Sequence, residues 1–234
     1  MGNLLEVCNI ETFIGQFHIL EGVSLTIPEG HIVALLGRNG AGKTTTLKSI
    51  LGLTPPSKGR VKFEGREIQG QRSFNIANMG IGYVPEHRAI FQALSVYENL
   101  KLAERKKGDL ARKEAFIFNL FPDLKRLIKL PGTNLSGGQQ QMLAVARALV
   151  PDNKLLLIDE PSEGLAPVII EQMIAAIEEL SDQTTVLLVE QNFLVASKLA
   201  SEYVIVEEGR TVKEGAMSDL VNDKETIQRY LGTG

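Results

Sequence analysis

Residues 31–45 read His31-Ile32-Val33-Ala34-Leu35-Leu36-Gly37-Arg38-Asn39-Gly40-Ala41-Gly42-Lys43-Thr44-Thr45. A short, almost wholly apolar run leads straight into a glycine-rich loop. Such a run, bounded by a turn signal, reads as a strand buried on both faces. Gly37 is followed after four residues by Gly42-Lys43-Thr44, and a helical pattern then continues through Leu53, where Pro55-Pro56 stops it. Each part suits a bound phosphate. Glycines let the backbone curl so that successive N–H groups face one anion. The following helix points its positive end at the same place. Lys43 supplies a mobile cation for β and γ phosphates, and the Thr44 hydroxyl suits Mg²⁺. The spacing by itself also fits a plain glycine-rich turn; the buried strand before it and the helix after it favour the phosphate reading.

Working outward, Leu4 to Ile10 and Val23 to Ile27 alternate apolar and polar residues and predict half-buried strands. Arg60 to Phe63 and Arg66 to Ile68 flank the turn Glu64-Gly65, and Tyr203 to Val206 and Thr211 to Lys213 flank Glu208-Gly209, so two hairpins are expected. Short apolar strands are predicted at Ile81 to Val84, Lys154 to Asp159 and Thr184 to Val189. Helices are predicted at Gly137 to Val150 (Met142, Ala146, Leu149 and Val150 on one face), Pro167 to Leu180, Phe193 to Ala200 and, as one amphipathic segment, Ser218 to Leu231. Strands alternating with helices mean an α/β fold: a mostly parallel sheet covered on both faces, with an added antiparallel layer. The stretch from about 89 to 135 is helical and more charged, and reads as a helical subdomain inserted in a core made of 1–88 and 136–234.

Two further motifs carry chemistry. Leu155-Leu156-Leu157-Ile158-Asp159-Glu160 delivers two carboxylates to a strand's C-terminal end, where open α/β sheets bind ligands. One can hold Mg²⁺ through waters while the next orients or deprotonates an attacking water. Alone, an acidic pair ending a strand is as often structural; beside the phosphate loop it reads as the Walker B strand. Leu135-Ser136-Gly137-Gly138-Gln139-Gln140-Gln141 opens a helix, with Ser136 as N-cap and two glycines leaving backbone donors uncovered. It is a second anion-facing helix start, against the plain alternative of a glycine-rich cap. One nucleotide does not need two such cradles from one chain; two chains placed head to tail would each lend one to each nucleotide.

The composition sets bounds. The chain has 234 residues, 44% hydrophobic and 23% charged, with a net charge of −3. That excludes a disordered chain and gives no bulk basic character for nucleic acid or an anionic membrane. One cysteine, Cys8, allows no internal disulfide and reads as a small core or edge residue. No apolar run approaches 18 residues, so any membrane attachment would come through another chain. The opening Met1-Gly2-Asn3-Leu4-Leu5-Glu6 has no basic region before an apolar core, and Glu6 stands where myristoylation wants Ser or Thr. The run Glu104-Arg105-Lys106-Lys107 reads as a solvated helix end.

On these motifs the chain resembles the ATP-binding-cassette (ABC) ATPases over nearly its whole length. Leu135 to Gln139 matches that family's signature, Tyr83-Val84-Pro85-Glu86 its Q-loop, Ser162-Glu163-Gly164-Leu165-Ala166-Pro167 its D-loop and Val189-Glu190-Gln191-Asn192 its switch loop. Within the family these runs look most like the second ATPase subunit of branched-chain amino acid importers, with importers of urea and other amides also similar. The resemblance implies ATP as ligand, with Gly37, Arg38, Asn39, Gly40, Ala41, Gly42, Lys43, Thr44 and Thr45 on its phosphates. It implies Mg²⁺ on Thr44 and Asp159, with Glu86 nearby, and Glu160 as general base. It places Ser136, Gly138 and Gln139 on the ATP of a second ABC subunit, identical or different. The implied partners are membrane permease subunits and, indirectly, a solute-binding protein, with no nucleic acid; the implied place is the cytoplasmic face of the membrane. ATP-driven closure of the dimer would move the permease.

Three positions depart from the family pattern. Glu86 replaces the Q-loop glutamine and adds negative charge. Gln191 replaces the switch histidine; its amide can donate to phosphate but cannot titrate. Ile14 stands where an aromatic often stacks on adenine, and Phe13 and Phe17 flank it as substitutes or as plain packing residues. Ile90, Phe91, Leu94 and Tyr97 fit either a permease helix or internal packing. A soluble cassette of translation or DNA repair would want a second cassette, a coiled-coil insertion or a basic surface. A non-hydrolysing regulator is disfavoured by Lys43, Asp159 and Glu160 together.

Overall fold

Alternate residues of the central strands face opposite ways, and both sets are apolar. In the computed structural model Ile32, Ala34, Leu36, Leu156, Ile158, Val186 and Leu188 belong to one buried cluster. Val33, Leu35, Leu155, Leu157, Leu187 and Val189 belong to a second. The two-residue period of a strand thus builds two cores on the two sides of one sheet.

The structure describes residues 2–181 and 183–232. Among them the chain runs β1 (Asn3–Ile14), β2 (Phe17–Pro28), β3 (Ile32–Leu36), α1 (Lys43–Ile50), β4 (Lys58–Phe63), β5 (Arg66–Glu67), α2 (Ser73–Asn78) and β6 (Ile81–Val84). It continues through α3 (Val96–Lys101), α4 (Asp109–Leu120), α5 (Pro122–Arg126), α6 (Gly137–Leu149), β7 (Leu155–Asp159), α7 (Pro167–Ser181), β8 (Thr185–Glu190) and α8 (Phe193–Leu199). It closes with β9 (Glu202–Glu207), β10 (Arg210–Ala216), α9 (Met217–Asn222) and α10 (Lys224–Leu231). The described strands form one sheet in the order β5-β4-β1-β2-β10-β9-β3-β8-β7-β6. The run from β9 through β3, β8 and β7 to β6 is parallel. β5, β4, β1 and β2 pair antiparallel, as do β9 and β10. The antiparallel strands are therefore continuous with the parallel ones, joined where Arg210 lies opposite Gly22. They fold over α1, so that Leu5, Ile10, Leu20 and Leu25 share a core with Leu47 and Ile50 of that helix. Helices α3 to α10 cover the other face. The α/β architecture is the expected one.

Several local expectations need correction. Helix α1 stops at Ile50, and Leu53 is exposed. α2 is a helix that no local pattern announced. The C-terminal amphipathic segment is two helices broken at Asp223, whose carboxylate caps the second by accepting from Thr226 N–H. Cys8 is neither core nor edge: its side chain is exposed, on a strand paired on both sides. The Glu104–Lys107 run joins α3 to α4, and half-buried Arg105 donates to the Ile81 carbonyl at 3.0 Å, so its side chain ties this connection to β6. α6 buries Leu143, Ala144 and Val145 as well as its predicted face, because it lies between the sheet and α3, α4 and α5.

Leu188 is fully buried on β8, between β3 and β7. Leu188→Ala is expected to cost about 2–5 kcal/mol of unfolding free energy, read from denaturant midpoints. Leu102→Ala, at a side chain 59% exposed, is expected to stay within about 0.5 kcal/mol of the parent.

Candidate functional site

β3, β8 and β7 end at one level: Leu35 and Asp159 both lie opposite Val189. Whatever follows these strands is delivered to one place. Residues 37–45 follow β3, Glu160 follows β7 and Gln191 follows β8.

The loop after β3 begins at Gly37, whose φ is +153°; a Cβ there would lie 2.3 Å from the Val206 carbonyl oxygen. Only glycine fits. Gly42, also at positive φ, opens α1. Lys43 is buried, and its Nζ donates to the carbonyls of Gly37 at 2.9 Å and Arg38 at 3.2 Å. The same nitrogen lies 3.0 Å from Glu160 Oε1. Arg38, Asn39 and Gly40 are exposed, with Arg38 donating to the Arg229 carbonyl at 2.9 Å; Ala41 is buried and Thr45 half-buried.

Asp159 sits at the dry end of β7, fully buried. Thr44 Oγ1 donates to its Oδ1 at 3.1 Å, and the Tyr83 hydroxyl donates to its Oδ2 at 3.2 Å. Burial above all pushes Asp159 up to about 6; the two hydroxyl donors pull it down, and Glu160 and Glu86 push it further up. Burial, then the charge of Asp159, also raises Tyr83 well above its ordinary value, which keeps it a donor. Glu160 holds φ of +45°, a left-handed conformation that costs a non-glycine residue on the order of 1–3 kcal/mol, and its N–H donates to the Val189 carbonyl at 2.9 Å. Glu86 is half-buried, and its charge reaches both Asp159 and Tyr83.

The Thr44 hydroxyl and Asp159 carboxylate are hard oxygen donors side by side at the glycine-rich loop that follows β3. That is the set Mg²⁺ takes when phosphates and water complete its shell, so the residues present fit the ion. Among the described residues no cluster of three His, Cys, Asp or Glu forms an all-protein metal cage.

The remaining candidates lie elsewhere. Phe13, Ile14 and Phe17 are exposed at the β1–β2 turn, and the Phe13 ring stacks on His18 with centroids 4.2 Å apart. Gln191 is exposed between β8 and α8. Ser136 caps α6: its side chain accepts from Gln139 N–H, and the Gln139 side chain accepts from Ser136 N–H at 3.0 Å. A Cβ on Gly138 would meet Ile169 Cγ2 at 2.9 Å, so this glycine also lets α7 approach. α6 packs on the sheet face opposite α1, so Ser136, Gly138 and Gln139 stand apart from the loop that holds Lys43. Sequence reasoning quoted Tyr83 and Glu190 within the Q-loop and switch-loop runs but gave neither a role; the signal available was a polar group in a buried strand.

Residues 20–163 match the family described as ABC transporter. The chain is 40% identical to the high-affinity branched-chain amino acid transport ATP-binding protein BraG of Pseudomonas aeruginosa, over 98% of this chain and all of that one. It is 34% identical to a probable branched-chain amino acid transport ATP-binding protein, LivF, of Archaeoglobus fulgidus, over 98% and 99% of the two chains. Among solved structures, the ATP-binding subunit of an ABC transporter superposes with a TM-score of 0.82 at 27% identity, covering 94% of this chain and 92% of that one. A nucleotide-free ATP-binding cassette superposes with a TM-score of 0.85 over both whole chains; at 24% identity this speaks to the fold.

Glu190 is pushed from 4.5 up to about 7, chiefly by burial. The folded chain then keeps a proton there that the unfolded chain releases. Stability from this group is full below about pH 4.5 and is lost as pH rises through about 7. The urea midpoint of the parent, measured relative to Glu190→Gln, is expected to fall over that window; a difference that stays flat with pH would contradict it.

Proposed function

The chain belongs to the ABC transporter family, and from that premise we propose that it is the ATP-binding and ATP-hydrolysing subunit of an importer for branched-chain or related amino acids. The observation that carries the hydrolytic reading is the meeting of Lys43, Thr44, Asp159 and Glu160 at one set of strand ends. Near full-length likeness to amino acid transport ATP-binding proteins supports the cargo class. Importers of urea or amides form the second reading, since the permease and binding protein select the solute.

Residues 37–45 wrap the phosphates with backbone N–H groups, and Lys43 neutralises their charge. Thr44 and Asp159, with Glu86 nearby, would hold Mg²⁺, which when bound offsets charge on the phosphate oxygens. Glu160 orients the attacking water and accepts its proton, and the Gln191 amide donates to the γ-phosphate. Phe13 or Phe17 stacks on the adenine. Ser136, Gly138 and Gln139 serve the ATP of a second subunit, identical or different. Support for that pairing comes from the opposite faces occupied by α1 and α6, since one nucleotide cannot engage both starts of the same chain. Closure surrounds the γ-phosphate with fixed donors and excludes water.

Residues 89–135 act as a helical subdomain on a core of 1–88 and 136–234, with α6 packed against both. The permease docks in the groove lined by Leu53, Phe74, Pro85 and Ala103, where Leu53 and Phe74 are 53% and 56% exposed. Of the earlier candidates, Phe91 and Tyr97 are also exposed, whereas Ile90 packs on the core. Permease contact would hold the chain at the cytoplasmic face of the membrane; no described helix is long and apolar enough to cross it.

Glu160→Gln is expected to lower ATP turnover about 100-fold or more while ATP binding persists, and Gln191→Ala to slow turnover at saturating ATP. Phosphate release by Glu160→Gln at the parent rate would refute the enzymatic role. Phe74→Ser is expected to reduce co-purification with the permease and to leave ATP binding intact; undiminished co-purification would move the docking site elsewhere.

A further inference from the structure

We propose that Glu190 is a positioning residue that ties the loop after β7 to the loop after β8, so that Glu160 and Gln191 are held by one carboxylate. The proposal rests on the hydrolytic reading above and adds to it a residue whose two carboxylate oxygens serve backbone N–H groups.

Glu190 is the last residue of β8 and is 1% exposed. Its two oxygens serve two different loops. Oε1 accepts the N–H of Ser162 at 3.2 Å, and Oε2 accepts the N–H of Asn192 at 3.2 Å. Ser162 lies in the turn that begins at the strained Glu160, where Glu163 N–H donates to the Glu160 carbonyl at 3.2 Å. Asn192 in turn opens α8, its Oδ1 accepting from Leu194 N–H at 3.0 Å and Val195 N–H at 3.4 Å. Gln191 is thus one exposed residue between two anchored neighbours. Its backbone is fixed on one side by a buried strand end and on the other by a helix cap. A shift of either loop pulls on the other through a single side chain.

The chemistry of the tie selects a carboxylate. Two backbone N–H groups need two acceptors. A glutamine of the same shape offers one acceptor and one NH₂, and in either orientation a donor faces a donor. An aspartate keeps both acceptors and is one methylene shorter. Acceptor count and shape therefore separate experimentally.

The test measures kcat and KM for MgATP on the full chain, with ATP affinity measured in parallel, for the parent, Glu190→Asp and Glu190→Gln. A misplaced catalytic constellation costs rate more than binding; kcat of Glu190→Gln is expected to fall about tenfold or more with the ATP dissociation constant changed by less than about twofold. Glu190→Asp is expected to lie between parent and Glu190→Gln. Turnover of Glu190→Gln at or above that of Glu190→Asp would show that side-chain volume matters and acceptors do not, and would overturn the proposal. So would a dissociation constant that rises in step with the loss of kcat, because Glu190 would then support the core at large. A parent chain with no turnover would remove the hydrolytic reading and this proposal together; an active parent with an unaffected Glu190→Gln would remove this proposal alone.

Discussion

Leu35, Val189 and Asp159 form one cross-strand row near the ends of three parallel strands, and the site hangs from that row. Register in a doubly buried sheet has little freedom. A slip by one residue would turn each strand's two apolar sets toward the wrong cores and move Asp159 away from Thr44. The same hydrogen bonds that close the sheet therefore set the 3.1 Å contact between Thr44 and Asp159. Packing and chemistry are secured by one ladder.

The two cores have different tasks. The one enclosed by the antiparallel strands grips α1 and the glycine-rich loop; the one under α3 to α10 grips α6 with Ser136 at its start. A sheet covered on both faces cannot bring both helix starts to one ligand within a chain. Within one chain the starts of α1 and α6 therefore belong to two different cores, which is the arrangement that the proposed head-to-tail pairing builds on.

Carboxylates crowd the strand ends. Asp159, Glu160, Glu190 and Glu86 act on one another there, and burial raises Asp159 to about 6 and Glu190 to about 7. Three of these acids are answered locally: buried Asp159 by two hydroxyl donors, half-buried Glu160 by the ammonium of Lys43, buried Glu190 by two backbone N–H groups. Removing one partner leaves a desolvated polar group unsatisfied, which makes these contacts costly to disturb singly.

Elements whose signal is local were readable from the chain. The apolar run before Gly37, the glycine spacing, the turns Glu64-Gly65 and Glu208-Gly209 and the helical segment from Pro167 to Leu180 all depend on covalent neighbours and backbone sterics, and their limits fell within a few residues of the observed ones. Features that depend on distant partners were not. The placement of Cys8 on an exposed face of an interior strand, the hydroxyl of Tyr83 on Asp159 and the reach of Glu190 to Ser162 follow from strand order, which no window of sequence contains, whereas the split at Asp223 is a local cap three residues before Thr226 that the amphipathic pattern masked. A strand's period says which residues share a side; the sheet's order says what waits on that side, because hydrogen-bonded neighbours are chosen by the folding of the whole chain.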